Sequence, residues 1–277
     1  MRYSDTAVFS DLDGTLFNSD SRISERNLAA IRAYTEQGGL FAIATGRSFL
    51  NSVYYMRTFV PEAPSVILNG SAVFDPASQS CPYQVEVDHE AVLDVLLWCR
   101  KNFPDMDVQA YGERETFYLT SKEKATGKLV EQLQPCTFAS IEEIQDLPWF
   151  KTMHYGTPEQ MRALYGYLVS AGVLDKVSVV KAITGIPPYH EHIELVPKDV
   201  NKGTALDACR SIPCYKGRKL LAVGDYLNDL ELLEHADYAF CPSNACEEVK
   251  SASHCILASN DEDAIADLIG RVIPALE

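Results

Sequence analysis

The chain has 277 residues, a length that accommodates two domains. Its 47% apolar and 23% charged residues fit a globular chain and exclude a disordered or fibrous one. With 39 acidic against 24 basic side chains the formal charge is −15, the wrong sign for sequence-independent binding of nucleic acid. No stretch approaches the ~18 uninterrupted apolar residues of a membrane span. The start, Met1-Arg2-Tyr3-Ser4-Asp5, carries no signal-peptide apolar core, so a soluble cytoplasmic protein is expected. The eight cysteines include no Cys-x-x-Cys pair and are expected to be reduced, mostly as small buried hydrophobes.

In chain order, Ala7 to Ser10 reads as a buried strand ending in Asp11-Leu12-Asp13-Gly14-Thr15. Ser24 is placed to cap a helix running to Gln37, with Leu28, Ile31 and Tyr34 on one stripe and Gly38-Gly39 as its stop. Leu40 to Ala44 is a second strand, ending in Thr45-Gly46-Arg47, and after another helix Val66-Ile67-Leu68 runs into Asn69-Gly70. This alternation predicts a parallel sheet with helices on both faces, whose ligands bind outside the carboxyl ends of the strands. From about residue 82 to 193 the pattern changes. Helices are expected over Glu90–Lys101, Ser121–Gln134 and Pro158–Ala171, and strands at Thr116–Leu119 and Val177–Val180. Strand and helix alternate again after Asn201-Lys202-Gly203, with strands at Lys219–Val223, Tyr238–Phe240 and Cys255–Leu257. One α/β core, residues 1–81 and 194–277, is therefore expected to be interrupted by an inserted α+β domain, residues 82–193.

Asp11 and Asp13 lie two apart at a strand end. Such a pair serves either as a polar entry to a turn, with Gly14 supplying a positive φ, or as a nucleophile beside a proton-transfer group. A second acidic cluster, Asp225 and Asp229, ends another strand. Two carboxylate clusters at one sheet edge repel unless a cation lies between them, and an oxygen-rich site suits Mg²⁺. To hold a phosphate, such a site needs donors. Thr45 offers a hydroxyl, Gly46 an approachable N–H, and Lys202 a charge at the start of a helix. His190, His192 and Glu194 alternate along one strand face and read as a polar face rather than a metal site. Trp98 and Trp149 read as core of the insert.

Asp11-Leu12-Asp13-Gly14-Thr15-Leu16, Thr45-Gly46-Arg47, Asn201-Lys202-Gly203 and Gly224-Asp225-x-x-Asn228-Asp229 resemble the four motifs of the haloacid dehalogenase superfamily of phosphohydrolases. The likeness is greatest to the Cof-type branch, on Leu68-Asn69-Gly70, Asn244 to Lys250 and Ser259-Asn260-Asp261-Glu262-Asp263, although Ala264 stands where that branch often has glycine. The resemblance implies a Rossmann-like parallel-sheet core with an inserted α+β cap domain, and a Mg²⁺-dependent phosphatase acting on small phosphorylated metabolites such as a sugar phosphate or phosphorylated cofactor. It implies Asp11 as nucleophile and Asp13 as proton donor and acceptor. Thr45, Gly46, Lys202 and Asn228 would form the phosphate site, and Asp11, Asp13, Asp225 and Asp229 would hold the metal. Apart from the resemblance, Arg47 and Asn69 are placed to contact substrate, with a surface ion pair as the alternative for Arg47. No nucleic-acid or membrane partner is expected. A phosphomutase of the same superfamily is the nearest alternative, and a non-catalytic ligand sensor a more distant one.

Overall fold

A computed structural model describes residues 1–57, 59–120, 135–183 and 191–276. The expected helix Ser121–Gln134 and His190 lie outside the described residues. The chain divides into two compact units, one formed by residues 1–83 and 201–277 and the other by residues 84–200. The second unit thus runs seven residues beyond the expected exit at 193, because the strand there continues to Pro197 and is paired throughout with its own sheet.

The first unit is built on five parallel strands in the order β14-β13-β12-β1-β2. These are β1 (Thr6–Ser10), β2 (Leu40–Ile43), β12 (Lys219–Val223), β13 (Tyr238–Pro242) and β14 (Cys255–Leu257). The strands are apolar nearly throughout, as strands covered on both faces must be. Their side chains alternate between two cores. Ala7, Phe9, Ala42, Leu220, Ala222, Ala239 and Cys241 face the helices Lys202–Cys209, Leu230–His235 and Glu247–Ala252. Val8, Phe41, Ile43, Leu221, Val223 and Phe240 face the helix Glu25–Glu36 and the C-terminal helical segment from Ala264. The stripe on Glu25–Glu36 buries Leu28, Ile31 and Tyr34, and Ser24 caps that helix by accepting from Asn27 N at 3.0 Å. Truncating a fully buried leucine such as Leu221 to alanine should cost about 2–5 kcal/mol.

The strand expected at Val66 to Leu68 is β3 (Ser65–Ile67), which pairs antiparallel with β4 (Ala72–Asp75), and β5 (Ser80–Gln84) completes that three-stranded sheet. β3 meets the parallel sheet through a single bridge, Ala44 to Val66, extended by Thr45 N donating to Val66 O at 3.0 Å.

The second unit contains a mainly antiparallel sheet in the order β10-β11-β9-β6-β7-β8. Its strands are β6 (Asp107–Tyr111), β7 (Thr116–Tyr118), β8 (Thr137–Phe138), β9 (Lys151–Gly156), β10 (Val177–Ile183) and β11 (Glu191–Pro197). Helices His89–Asn102 and Pro158–Ser170 pack on one face of this sheet, against Val108, Ala110, Phe117, Ile193 and Leu195. Trp149 is buried in the same core, and Trp98 stacks on Tyr167 with ring centroids 4.5 Å apart. Strand register places Gln109, Tyr111, Lys151, Met153 and Glu194 together on the opposite face. Among the described residues, no helix is long and apolar enough to cross a membrane.

Candidate active site

Because β1, β2 and β12 are parallel, their carboxyl ends lie at one edge, and each hands its next residues to the same place. Asp11 follows β1 and donates its N–H to Val223 O at 2.9 Å, which extends the ladder one residue past the strand. Asp13 leaves the helical region (φ −77°, ψ 116°) and Gly14 takes φ +81°. An ideal Cβ on Gly14 would sit 2.4 Å from Asp225 Oδ2, so the turn requires glycine twice over, for its backbone angle and for the space.

Asp11, Asp225 and Asp229 each offer a carboxylate oxygen, and these oxygens lie within 4.8 Å of one another. Lys202 is the first residue of its helix, whose N-cap Asn201 accepts from Thr204 N at 2.9 Å. Its ammonium is fully buried and donates to Asp11 Oδ1 at 2.7 Å and to Asp229 Oδ1 at 2.5 Å. The other Asp229 oxygen accepts from the backbone N–H groups of Asp225 and Tyr226 at 3.0 and 3.2 Å. Thr15 Oγ1 donates to Asp225 Oδ1 at 2.8 Å, and Cys246 N donates to Asp225 O at 3.0 Å.

One ammonium, hydrogen-bonded to Asp11 and Asp229, thus faces three carboxylates. Burial pushes the Asp11 carboxyl well above its ordinary range, opposed by Lys202 and reinforced by Asp229 and Asp225. Burial and then Asp229 raise Asp225 to about 6. Burial alone would lower the Lys202 ammonium, but Asp11 and Asp229 outweigh it and hold the group above its ordinary value. Buried, closely spaced oxygen donors carrying more negative charge than one lysine neutralises are the chemistry a hard divalent cation takes, so the residues present fit such an ion. Among the described residues no other cluster of His, Cys, Asp or Glu meets that geometry. His192 instead lies beside Glu194, at 3.4 Å, on the sheet of the second unit.

The loops after β2 and β3 interlock. Thr45 Oγ1 accepts from Arg47 N at 3.1 Å, Asn69 N donates to Thr45 O and Leu68 N to Arg47 O, both at 3.1 Å. Leu68, Asn69 and Gly70 all have positive φ, a run of left-handed backbone that these contacts hold in place. A Cβ on Gly46 would meet the Asn69 amide at 3.0 Å. Asn228 Nδ2 donates to Asn69 Oδ1 at 3.4 Å. Asp13 and Arg47 form a two-pronged ion pair, Nε to Oδ2 at 2.8 Å and Nη2 to Oδ1 at 2.9 Å.

The structure therefore gathers Asp11, Lys202, Asp225 and Asp229 into one buried cluster, joins Asn69 to Gly46 and Asn228, and pairs Asp13 with Arg47. Two further residues support the cluster without any local sequence signal of that role. Thr15 braces Asp225, and Asn244 donates to Gly14 O at 2.8 Å while accepting from Asn260 N at 2.9 Å. Both lie inside the motif strings, but Thr15 meets Asp225 and Asn244 meets Gly14 across more than 200 residues of chain.

A family model described as haloacid dehalogenase-like hydrolase matches residues 8–269. The chain is 26% identical over 259 residues to the 5-amino-6-(5-phospho-D-ribitylamino)uracil phosphatase YitU of Bacillus subtilis, covering 92% of this chain and 93% of that one. It is 24% identical over 274 residues to a chloroplastic endoribonuclease YBEY of Arabidopsis thaliana, of which it spans only 46%. Among solved structures, a haloacid dehalogenase-like hydrolase from Bacteroides thetaiotaomicron superposes with a TM-score of 0.80 at 25% identity, covering 97% of this chain and 99% of that one. The family match spans both units and contains every residue of the acidic cluster, and the chain belongs to the haloacid dehalogenase-like hydrolases.

Proposed function

We propose that the chain is a phosphatase that hydrolyses small phosphorylated metabolites through an aspartyl-phosphate, with Mg²⁺ as its cation. The observation that carries the reading is the buried cluster of Asp11, Asp225 and Asp229 around Lys202 at the carboxyl edge of a parallel sheet. Asp11 is the nucleophile: its carboxylate oxygen bonds to phosphorus as the bond from phosphorus to the leaving oxygen breaks. Asp13 gives that oxygen a proton, then takes one from the water that attacks the aspartyl-phosphate, which releases inorganic phosphate and restores both carboxyl groups. Lys202, the Thr45 hydroxyl and the Gly46 N–H hold the phosphoryl oxygens, and Asn228 and Asn69 brace that loop. Asp11, Asp225 and the Asp13 carbonyl would hold Mg²⁺, with Asp229 binding it directly or through water while it orients Lys202 and the Asp225 backbone. When bound, the ion neutralises charge on the transferring phosphoryl group.

A phosphorylated small molecule as substrate is supported by the relative named for a phosphoribityl compound, which this chain matches over nearly its whole length. The residues 84–200, proposed to act as a cap that selects among phosphate esters, interrupt the core directly before Lys202. The test is phosphate release from a panel of sugar phosphates and phosphorylated cofactors. Activity should depend on Mg²⁺ and disappear with EDTA, and Asp11→Asn should lower turnover by orders of magnitude while leaving the circular dichroism spectrum unchanged. Full activity in a well-folded Asp11→Asn protein would refute the mechanism.

A further inference from the structure

Arg47 stands just ahead of Ser48, the N-cap of the helix Phe49–Met56, so Asn51 and Tyr55 follow it on one helical stripe. Its guanidinium uses that stripe. Nη1 donates to Asn51 Oδ1 at 2.9 Å, and the guanidinium carbon lies 4.5 Å from the Tyr55 ring centroid. Its backbone is pinned to Thr45 and Leu68. The cation is therefore fixed by its own loop and helix, and it presents its remaining edge, Nε and Nη2, to both oxygens of a carboxylate 34 positions earlier.

Stability does not account for this arrangement. The Asp13 side chain is 55% exposed, and ion pairs in such surroundings contribute only ~0–1 kcal/mol. What a fork of two parallel hydrogen bonds does supply is orientation, because it fixes both torsions of a short side chain. A proton-transfer group needs that orientation, since misplacement by about 1 Å can cost 10²-fold in rate.

We propose that Arg47, seated on Asn51 and Tyr55, is a positioning residue that sets the direction of the Asp13 carboxylate. The inference rests on the reading of Asp13 as proton donor and acceptor. Arg47 then acts through Asp13 and needs no contact with the substrate. One prong suffices while Asp13 carries a proton, because the unprotonated oxygen still accepts a hydrogen bond.

A double-mutant cycle tests this, with Arg47→Ala, Asp13→Asn and the double variant, each checked for fold by circular dichroism. The readout is kcat/KM for p-nitrophenyl phosphate and for whichever of glycerol 3-phosphate, a hexose 6-phosphate and a pentose 5-phosphate the parent hydrolyses fastest. Arg47→Ala should lower kcat/KM for the alkyl ester by about 10–100-fold, part of the about 10²–10⁴ that acid–base catalysis supplies. For the nitrophenyl ester, whose leaving group needs no proton, the loss should stay below about threefold. Arg47→Lys keeps the charge and loses the fork, so it should reproduce most of the defect. In the Asp13→Asn background the substitution should have no further effect on either ester. Equal losses with and without Asp13, or no loss in Arg47→Ala, would overturn the proposal while leaving the phosphatase reading intact. A parent that releases phosphate from none of these esters would overturn that reading, and this inference with it.

Discussion

Gly14 and Gly166 separate two uses of the same residue. Gly14 combines φ +81° with a Cβ position 2.4 Å from the Asp225 carboxylate. Gly14→Ala must therefore strain the turn and displace Asp225, and it should cost about 1–3 kcal/mol of stability. It should also weaken Mg²⁺ binding, measured by titration calorimetry. Gly166 lies inside the helix Pro158–Ser170 with nothing within 4 Å of its Cβ position, so Gly166→Ala should stabilise by about 0.5–1 kcal/mol and leave metal binding unchanged. Matching effects of the two alanines in thermal melts would contradict the argument. The same contrast shows what the sequence discloses at this scale. Asp11, Asp13 and Gly14 were legible together, because a short turn at a strand end constrains its residues locally. Arg47 was legible as a position but not as the partner of Asp13, since that pairing joins separate loops and leaves no local pattern.

At the level of elements, the parallel strands were readable because burial on both faces leaves continuous apolar runs. The apolar run at Val66 to Leu68 looks like another strand of that sheet, yet β3 pairs mainly with β4 and meets the parallel sheet through the Ala44–Val66 bridge and Ile43 N donating to Ser65 Oγ at 3.2 Å. The polar face of the second unit was harder. Alternation of His190, His192 and Glu194 suggests a polar strand face, whereas Glu194 is buried and paired at 3.1 Å with the buried Lys151, 43 positions earlier in the chain. Burial pushes the Glu194 carboxyl up, but Lys151 and His192 outweigh it and hold the group down to about 2. Its folded value lies below the ordinary 4.5, so the pair's contribution is fully present above that pH and is lost as pH falls towards 2. Lys151→Met leaves a buried carboxylate without its main counter-charge and should cost about 3–5 kcal/mol at pH 7. The penalty should shrink in acid, where Glu194 can take up a proton. Lys151→Met with Glu194→Leu should recover most of the loss at pH 7. Urea melts of the three proteins at pH 7 and pH 4 measure this, and a penalty independent of pH would show that packing, not charge, dominates.

For the whole molecule, the division of cores has a thermodynamic consequence. One hydrophobic cluster lies entirely within residues 84–200, while the other two belong to residues 1–83 and 201–277. The three carboxylates that fit a divalent cation all belong to the second of these groups. A ligand stabilises only the conformations that bind it, by about 2.7 kcal/mol at a hundred times its Kd. Mg²⁺ should therefore slow amide exchange in residues 1–83 and 201–277, most strongly around Asp11 to Thr15 and Gly224 to Leu230. Exchange from openings confined to residues 84–200 should be unaffected. The gain should exceed that from an ordinary surface ion, because the cation also relieves repulsion among carboxylates that Lys202 alone leaves undercompensated. Asp225→Asn removes one of those charges and should diminish the Mg²⁺ response in the same peptides. Hydrogen exchange read by mass spectrometry, with EDTA or with Mg²⁺, resolves the two units separately. Equal protection across both would mean that they unfold as one, and protection confined to residues 84–200 would move the metal site away from Asp11, Asp225 and Asp229.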